Sequence, residues 1–162
     1  ERLTGVQTLC FVFKLKVHIK GFCFTREAKA FSKIPFASYE QIYGDSYTVN
    51  DTAVESIGNN VTIDFEHMDF ESHANFIDIS WRSKLDSNTI RMAFVNKEGD
   101  EVVNLLTLPV QGKYDHTRIT LDKPLKGTGT VRFIFLPGSD IDLEWFMFGF
   151  DTIGKGDNVK EA

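Results

Sequence analysis

Apolar and polar residues alternate with a period of two along most of the chain, the signature of half-buried strands. Val61–Phe65 (VTIDF) alternates in this way. Asn75–Arg82 (NFIDISWR) puts Phe76, Asp78, Ser80 and Arg82 on one face and Ile77, Ile79 and Trp81 on the other. Thr89–Val95 leads through a turn at Asn96–Asp100 into a strand at Glu101–Leu106, and Thr117–Leu121 precedes a closing hairpin. Helical spacing is poor, and only Ala28–Ser32 suggests a turn or two of helix. Many short strands with turn residues between them predict an all-β fold, a two-sheet antiparallel β-sandwich. Fifteen Phe residues suit it, because aromatic side chains pack well between pleated faces.

Two stretches repeat one pattern. Thr4–Phe24 (TGVQTLCFVFKLKVHIKGFCF) and Thr128–Phe148 (TGTVRFIFLPGSDIDLEWFMF) both enter a Phe-x-Phe strand, turn, and finish on a second strand ending Phe-x-Phe. The second has a longer turn, Pro137–Asp140, and carries Asp142 and Trp145 where the first has His18 and Gly21. Similar strand composition is one explanation. The other is that residues 1–25 are a hairpin from the end of a preceding related module, or one added at an edge. On that reading residues 26–150 form the whole sandwich and 151–162 a tail. A lone hairpin is marginal in water, so the first copy needs a surface to pack on.

The 162 residues suit one domain, large enough to bury a core without disulfides. A net charge of −5 argues against nucleic acid as a partner, since phosphate binding needs clustered Lys and Arg. No apolar run approaches the roughly 18–20 residues of a membrane span. The start on Glu1-Arg2, without Met and without a signal pattern, suggests a piece of a longer protein. Cys10 and Cys23 fall on the two arms of the first hairpin, offset from each other, and are expected to be buried free thiols.

Catalytic chemistry finds little footing. Asp64, Glu66, Asp69 and Glu71 read as a solvated strand face and loop rather than the paired acids of glycoside hydrolysis. His18, His67, His73 and His116 lack ligand spacing, and no GxSxG, phosphate-loop or dinucleotide pattern occurs. A noncatalytic role is expected.

The closing segment Thr130–Phe148 resembles the last two strands of family 6 carbohydrate-binding modules, galactose-binding-like β-sandwiches of the jelly-roll kind attached to glycoside hydrolases. Tyr43–Phe65 is similar to the segment leading into their second strands, and Val110–Leu121 to the stretch where Gly and an aromatic precede a Thr-rich strand. Together these cover about residues 33–149. Ile42–Val61 also resembles the C-terminal region of bacterial family 2 glycoside hydrolases of the β-galactosidase type, which implies a parent catalytic domain as partner.

The resemblance implies a glycan ligand held in end loops between two aromatic rings, with an Asn making hydrogen bonds. Tyr114 stands at one aromatic position, and Tyr43 or Tyr47 is the candidate for the other. Asp142 takes the Asn position as a carboxylate, which accepts hydrogen bonds but cannot donate them when ionised. Asn59 and Asn60 are further loop candidates, although after Gly58 they are also a turn signal. Sugars offer apolar faces and hydroxyl rims, so flat rings beside planar polar groups are the right chemistry. Trp81 and Trp145, mid-strand, are expected in the core. The family's structural calcium would fall near Glu40 and Glu144. The competing reading is a structural accessory domain, without sugar binding, packed on a catalytic core or sister subunit.

Overall fold

A computed structural model describes residue 8 and residues 10–21, 28–71 and 73–151. Among these residues nine strands follow in order: β1 (Ile34–Pro35), β2 (Gln41–Tyr43), β3 (Thr48–Val49), β4 (Val54–Ile57), β5 (Thr62–Asp69), β6 (Ala74–Asn96), β7 (Glu101–Leu125), β8 (Thr128–Phe135) and β9 (Ile141–Gly149). Among the described residues the helical content is two single 3-10 turns, Lys29–Phe31 and Phe36–Ser38. The first falls where the sequence allows a turn of helix.

All pairing is antiparallel, and the order β2-β5-β8-β6-β9-β4-β3 curls into two layers because β6 and β7 serve both. The C-terminal half of β6 pairs with β8, from Ile90 opposite Phe135 to Asn96 opposite Gly129. Its N-terminal half pairs with β9, from Phe76 opposite Gly149 to Arg82 opposite Asp142. The first sheet is therefore β2, β5, β8 and the later half of β6. The second is the earlier half of β6, then β9, β4 and β3, with β1 beside β9. β7 runs along the outer edge of β6 in both.

This corrects two expectations. β6 and β7 are each one long strand where the periodicity marks two. Ser83–Asn88 and Pro109–Gly112 break the alternation because they form the corner between sheets, where the β6–β7 register shifts but pairing resumes on both sides. Nor is the closing pair a hairpin. β8 and β9 lie in different sheets on either half of β6, so Pro137–Asp140 is an arch between layers.

The core confirms the aromatic sandwich. Phe36, Phe65, Phe133, Phe146 and Phe148 are buried, and Phe65, Phe133 and Phe146 form mutual ring contacts with centroids 4.7–5.9 Å apart. Edge-to-face rings of this kind add attraction beyond the area they bury. Trp81 is in the core as expected. Trp145 is not. The register of β6 and β9 slips between Ser80 and Trp81, turning Glu144 and Trp145 outward, where the Lys33 ammonium lies 4.0 Å from the indole centroid. Asp64 departs the other way. It is 4% exposed and accepts two hydrogen bonds from Arg132 on the next strand, at 2.8 and 2.7 Å, so it belongs to a cross-strand ion pair rather than a solvated face.

The described part of the first Phe-x-Phe copy, residues 10–21, bends at Lys14–Leu15 and joins no strand among the described residues. Cys10 there is a free, exposed thiol, not a buried one. Burial would need a sheet partner, and the segment joins no strand among the described residues. Cys23 and the rest of that copy lie outside the described residues.

Candidate functional site

Across the outer face of the second sheet, four neighbouring strands contribute one row of polar side chains: Tyr114 from β7, Arg82 from β6, Asp142 from β9 and Glu55 from β4. Strand alternation explains the row. Trp81, Ile141, Leu143, Val54 and Ile57 occupy the intervening positions and point into the core, leaving Arg82, Asp142 and Glu55 outward. Tyr114 arrives through a bulge. Gln111 pairs with Ser83 and Asp115 with Trp81, so three residues, Gly112–Tyr114, oppose Arg82 alone.

Inside the row every group holds another. Arg82 Nε donates to Asp142 Oδ2 at 2.5 Å and Nη2 to Glu55 Oε1 at 3.1 Å, while the guanidinium lies 4.6 Å from the Tyr114 ring centroid. The Tyr114 hydroxyl donates to Glu55 Oε1 at 2.8 Å. Asp142 Oδ1 accepts from the Ser56 amide at 2.6 Å. Ser56, with φ of 53°, sits where the β4–β9 register shifts, and that shift aims its N–H at the carboxylate. Burial first, and then the bond to Glu55, raise the Tyr114 hydroxyl above its ordinary pKa, so the phenol stays a donor. The bond to Asp142 raises Arg82 further above its already high value.

Beside this row an open cleft of about 470 Å³ is lined by Ser56, Arg82, Ser83, Lys84, Gln111, Gly112, Asp140, Ile141 and Asp142. Its far wall is the inter-sheet arch, fixed by a buried polar knot. Ser83 Oγ donates to the Asp140 carbonyl at 2.6 Å and accepts from Asn88 Nδ2 at 2.8 Å. The Asp140 amide donates to Asn88 Oδ1 at 3.1 Å. Gln111 is anchored on the opposite side, its Nε2 donating to the Trp81 and Asp115 carbonyls. Lys84 and the Asp140 carboxylate are exposed at the mouth. The cleft thus presents hydrogen-bonding groups on a rigid frame, with both charge signs and without an aromatic floor.

The expected site residues are only partly gathered here. Tyr114 and Asp142 come together in the row, but the ring face of Tyr114 is taken by Arg82 and the Asp142 oxygens by Ser56 and Arg82. Tyr43 lies on β2, at the edge of the other sheet, with its hydroxyl on Gln41. Tyr47 packs against the core. Neither lines the cleft, so the facing aromatic pair does not form. Asn59 and Asn60 make the exposed turn between β4 and β5, where the Asn60 carbonyl closes on Gly44. A Cβ at Gly44 would come within 2.8 Å of that carbonyl oxygen, and its φ of +108° also favours glycine.

Glu40 and Glu144 do not fit a calcium site. Glu40 is neutralised by Lys29 at 2.6 Å and accepts from the Glu66 amide, while Glu144 accepts from Ser80. Among the described residues no three His, Cys, Asp or Glu side chains are grouped to hold a metal. Arg82, Lys84 and Gln111 escaped the sequence reading because polar side chains at a strand corner carry no periodic signal.

No family model matches the sequence, and no curated protein matches it. Solved structures do share the fold. CsCBM6-3 from Clostridium stercorarium, in complex with cellobiose, superposes with a TM-score of 0.65 at 18% identity over 75% of this chain and 95% of that one. A family 6 carbohydrate-binding module from Clostridium cellulolyticum, in complex with xylose, gives 0.63 at 19% identity over 75% and 98%. A family 43 arabinoxylan arabinofuranohydrolase from Bacillus subtilis, in complex with cellotetraose, gives 0.60 at 15% identity over 81% of this chain and 29% of that enzyme. The fold class is therefore the two-layer β-sandwich of the family 6 modules.

Proposed function

We propose that this domain is a noncatalytic carbohydrate-binding module that takes glycan in the polar cleft beside Arg82. The observation that carries the reading is that cleft, open to solvent and walled by anchored polar groups, in a fold shared with modules holding cellobiose and xylose. Lys84 and Asp140 at the mouth offer a donor and an acceptor to sugar hydroxyls, and Ser56 and Gln111 line the cleft behind them. Without a stacking platform in the cleft, affinity rests on hydrogen bonds and is weak for one module, adding to that of any neighbouring module.

The parent we assign is a glycoside hydrolase, of β-galactosidase type on the resemblance of Ile42–Val61, with the catalytic domain outside these residues. The Bacillus subtilis enzyme, in which this fold fills 29% of the chain, illustrates such an arrangement. A second reading has its own support: the mutual saturation of Tyr114, Arg82, Glu55 and Asp142 is what a structural accessory domain without sugar binding would carry.

A glycan array followed by titration calorimetry separates the two. The binding reading expects at least one glycan to bind, with several-fold weaker affinity for Lys84→Ala and Asp140→Ala. A folded wild type that binds no glycan, or binding that neither substitution alters, overturns it.

A further inference from the structure

The segment 10–21 is the most apolar exposed surface among the described residues. Val12 and Leu15 are each 82% exposed, and Val17 and Ile19 are half exposed. Their order is not random. Odd positions are Phe11, Phe13, Leu15, Val17 and Ile19, and even positions after Val12 are Lys14, Lys16, His18 and Lys20. Such a period-two pattern is stable only when the apolar row is covered and the backbone is paired. The bend at Lys14–Leu15 leaves Lys16–Gly21 as an arm of about six residues, an ordinary strand length.

The rest of the molecule offers the complement. β7 is paired with β6 alone among the described residues, so one long edge has backbone groups facing outward. Two of the few large apolar residues exposed outside segment 10–21, Leu105 and Val110, lie on or beside that edge, at 59% and 56% exposure. An open strand of this kind is a template for another. Charge points the same way. Segment 10–21 has three Lys and no acid, whereas residues 28–151 have 19 Asp and Glu against 11 Lys and Arg. Glu98, Asp100 and Glu101 gather where β7 begins.

We propose that Lys16–Gly21 of one molecule adds as a strand to the β7 edge of a second copy around Leu105, giving a strand-exchanged association. Backbone hydrogen bonds supply the affinity, and Val17, Ile19 and the lysines set register against Leu105 and the acidic turn. Because both elements occur in each copy, reciprocal exchange closes a two-fold dimer.

Sedimentation velocity of the whole chain across a hundredfold concentration range, at low and high salt, tests this. The expected result is a concentration-dependent dimer weakened by salt. Val17→Lys with Ile19→Lys, and separately Leu105→Lys, should each weaken association at least tenfold while leaving the circular dichroism unchanged. Anionic vesicles of phosphatidylserine and phosphatidylcholine serve as the rival partner. A wild type that stays monomeric, a dimer indifferent to Leu105→Lys, or a monomer whose vesicle binding alone depends on Val17 and Ile19 would each overturn the proposal.

Discussion

Phe133 and Phe135 are 0% and 2% exposed, whereas Phe11 and Phe13, in the same Phe-x-Phe pattern, are 49% and 51% exposed. Local sequence does not separate them. What does is company: β8 sits between β5 and β6, so Phe133 faces Ile63 and Met92 across two ladders and meets the Phe36, Phe65 and Phe146 rings. Phe11 and Phe13 stack on each other, with ring planes 1° apart, and their segment joins no ladder among the described residues. Alternation specifies a strand, but the partners a strand finds decide whether its apolar row is buried.

The strongest way to break this contrast is to truncate both copies. Phe133→Ala removes a ring from a close-packed aromatic cluster and should cost about 3–5 kcal/mol, the range for buried Phe truncations. Phe13→Ala should change stability by less than about 0.5 kcal/mol, as exposed positions do. Urea unfolding at low concentration, where copies are apart, measures both. Equal losses would mean that the first copy is packed against the sandwich after all.

Acidic residues show the same dependence on partners. Asp64 and Asp142 both face an arginine on the adjacent strand, Arg132 and Arg82 respectively. Asp64 is buried and held by two parallel bonds from one guanidinium, while Asp142 divides its oxygens between Arg82 and the Ser56 amide at the cleft. Asp64→Ala is expected to cost about 2–3 kcal/mol, the scale of buried charge-assisted bonds, tempered because Arg132 can reach water. Asp142→Ala should cost less, about 1 kcal/mol, and should also loosen the Ser56 bulge. Hydrogen exchange at the Ser56 amide would rise in the second variant and stay unchanged in the first.

Between these effects lies the arch. Ser83→Ala leaves the Asp140 carbonyl and Asn88 Nδ2 without their shared partner in a buried setting, a loss of about 1–2 kcal/mol. The cleft wall should move with it, so any glycan bound there should weaken more than for Lys84→Ala. A variant as stable as wild type would show that water replaces the hydroxyl.

Much of this architecture was legible in the residues. Period-two alternation gave the sandwich, and the Phe pattern of β8 and β9 marked its core. Topology was not legible, because Ser83–Asn88 looks like a loop whether the strand ends there or turns a corner between sheets. The site was legible in type only. Tyr114 and Asp142 do meet, but Arg82 fills the space between them, and nothing local to Arg82 announces that a bulge in the next strand will lay a tyrosine over it. Burial of Asp64 was hidden for a similar reason. A carboxylate in an alternating strand reads as solvated until its cross-strand partner is known.

Tyr114 gives the finest test, since one hydroxyl distinguishes a structural clamp from an idle ring. Burial and the bond to Glu55 raise its pKa above the ordinary tyrosine value near 10. The unfolded chain therefore loses this proton before the native one does. The stability that the neutral phenol contributes is whole below about pH 10 and is lost as pH rises from there through the native value. Tyr114→Phe keeps the ring under Arg82 but removes the donor, costing about 0.5–1.5 kcal/mol at neutral pH. Guanidinium unfolding of both proteins from pH 8 to 11.5 should give two curves that converge on the alkaline side, the wild type falling more steeply. Every other group is common to both proteins and cancels in the difference. Parallel curves would mean that Tyr114 ionises as freely in the fold as in water, and that the Tyr114–Glu55 bond does not hold the row together.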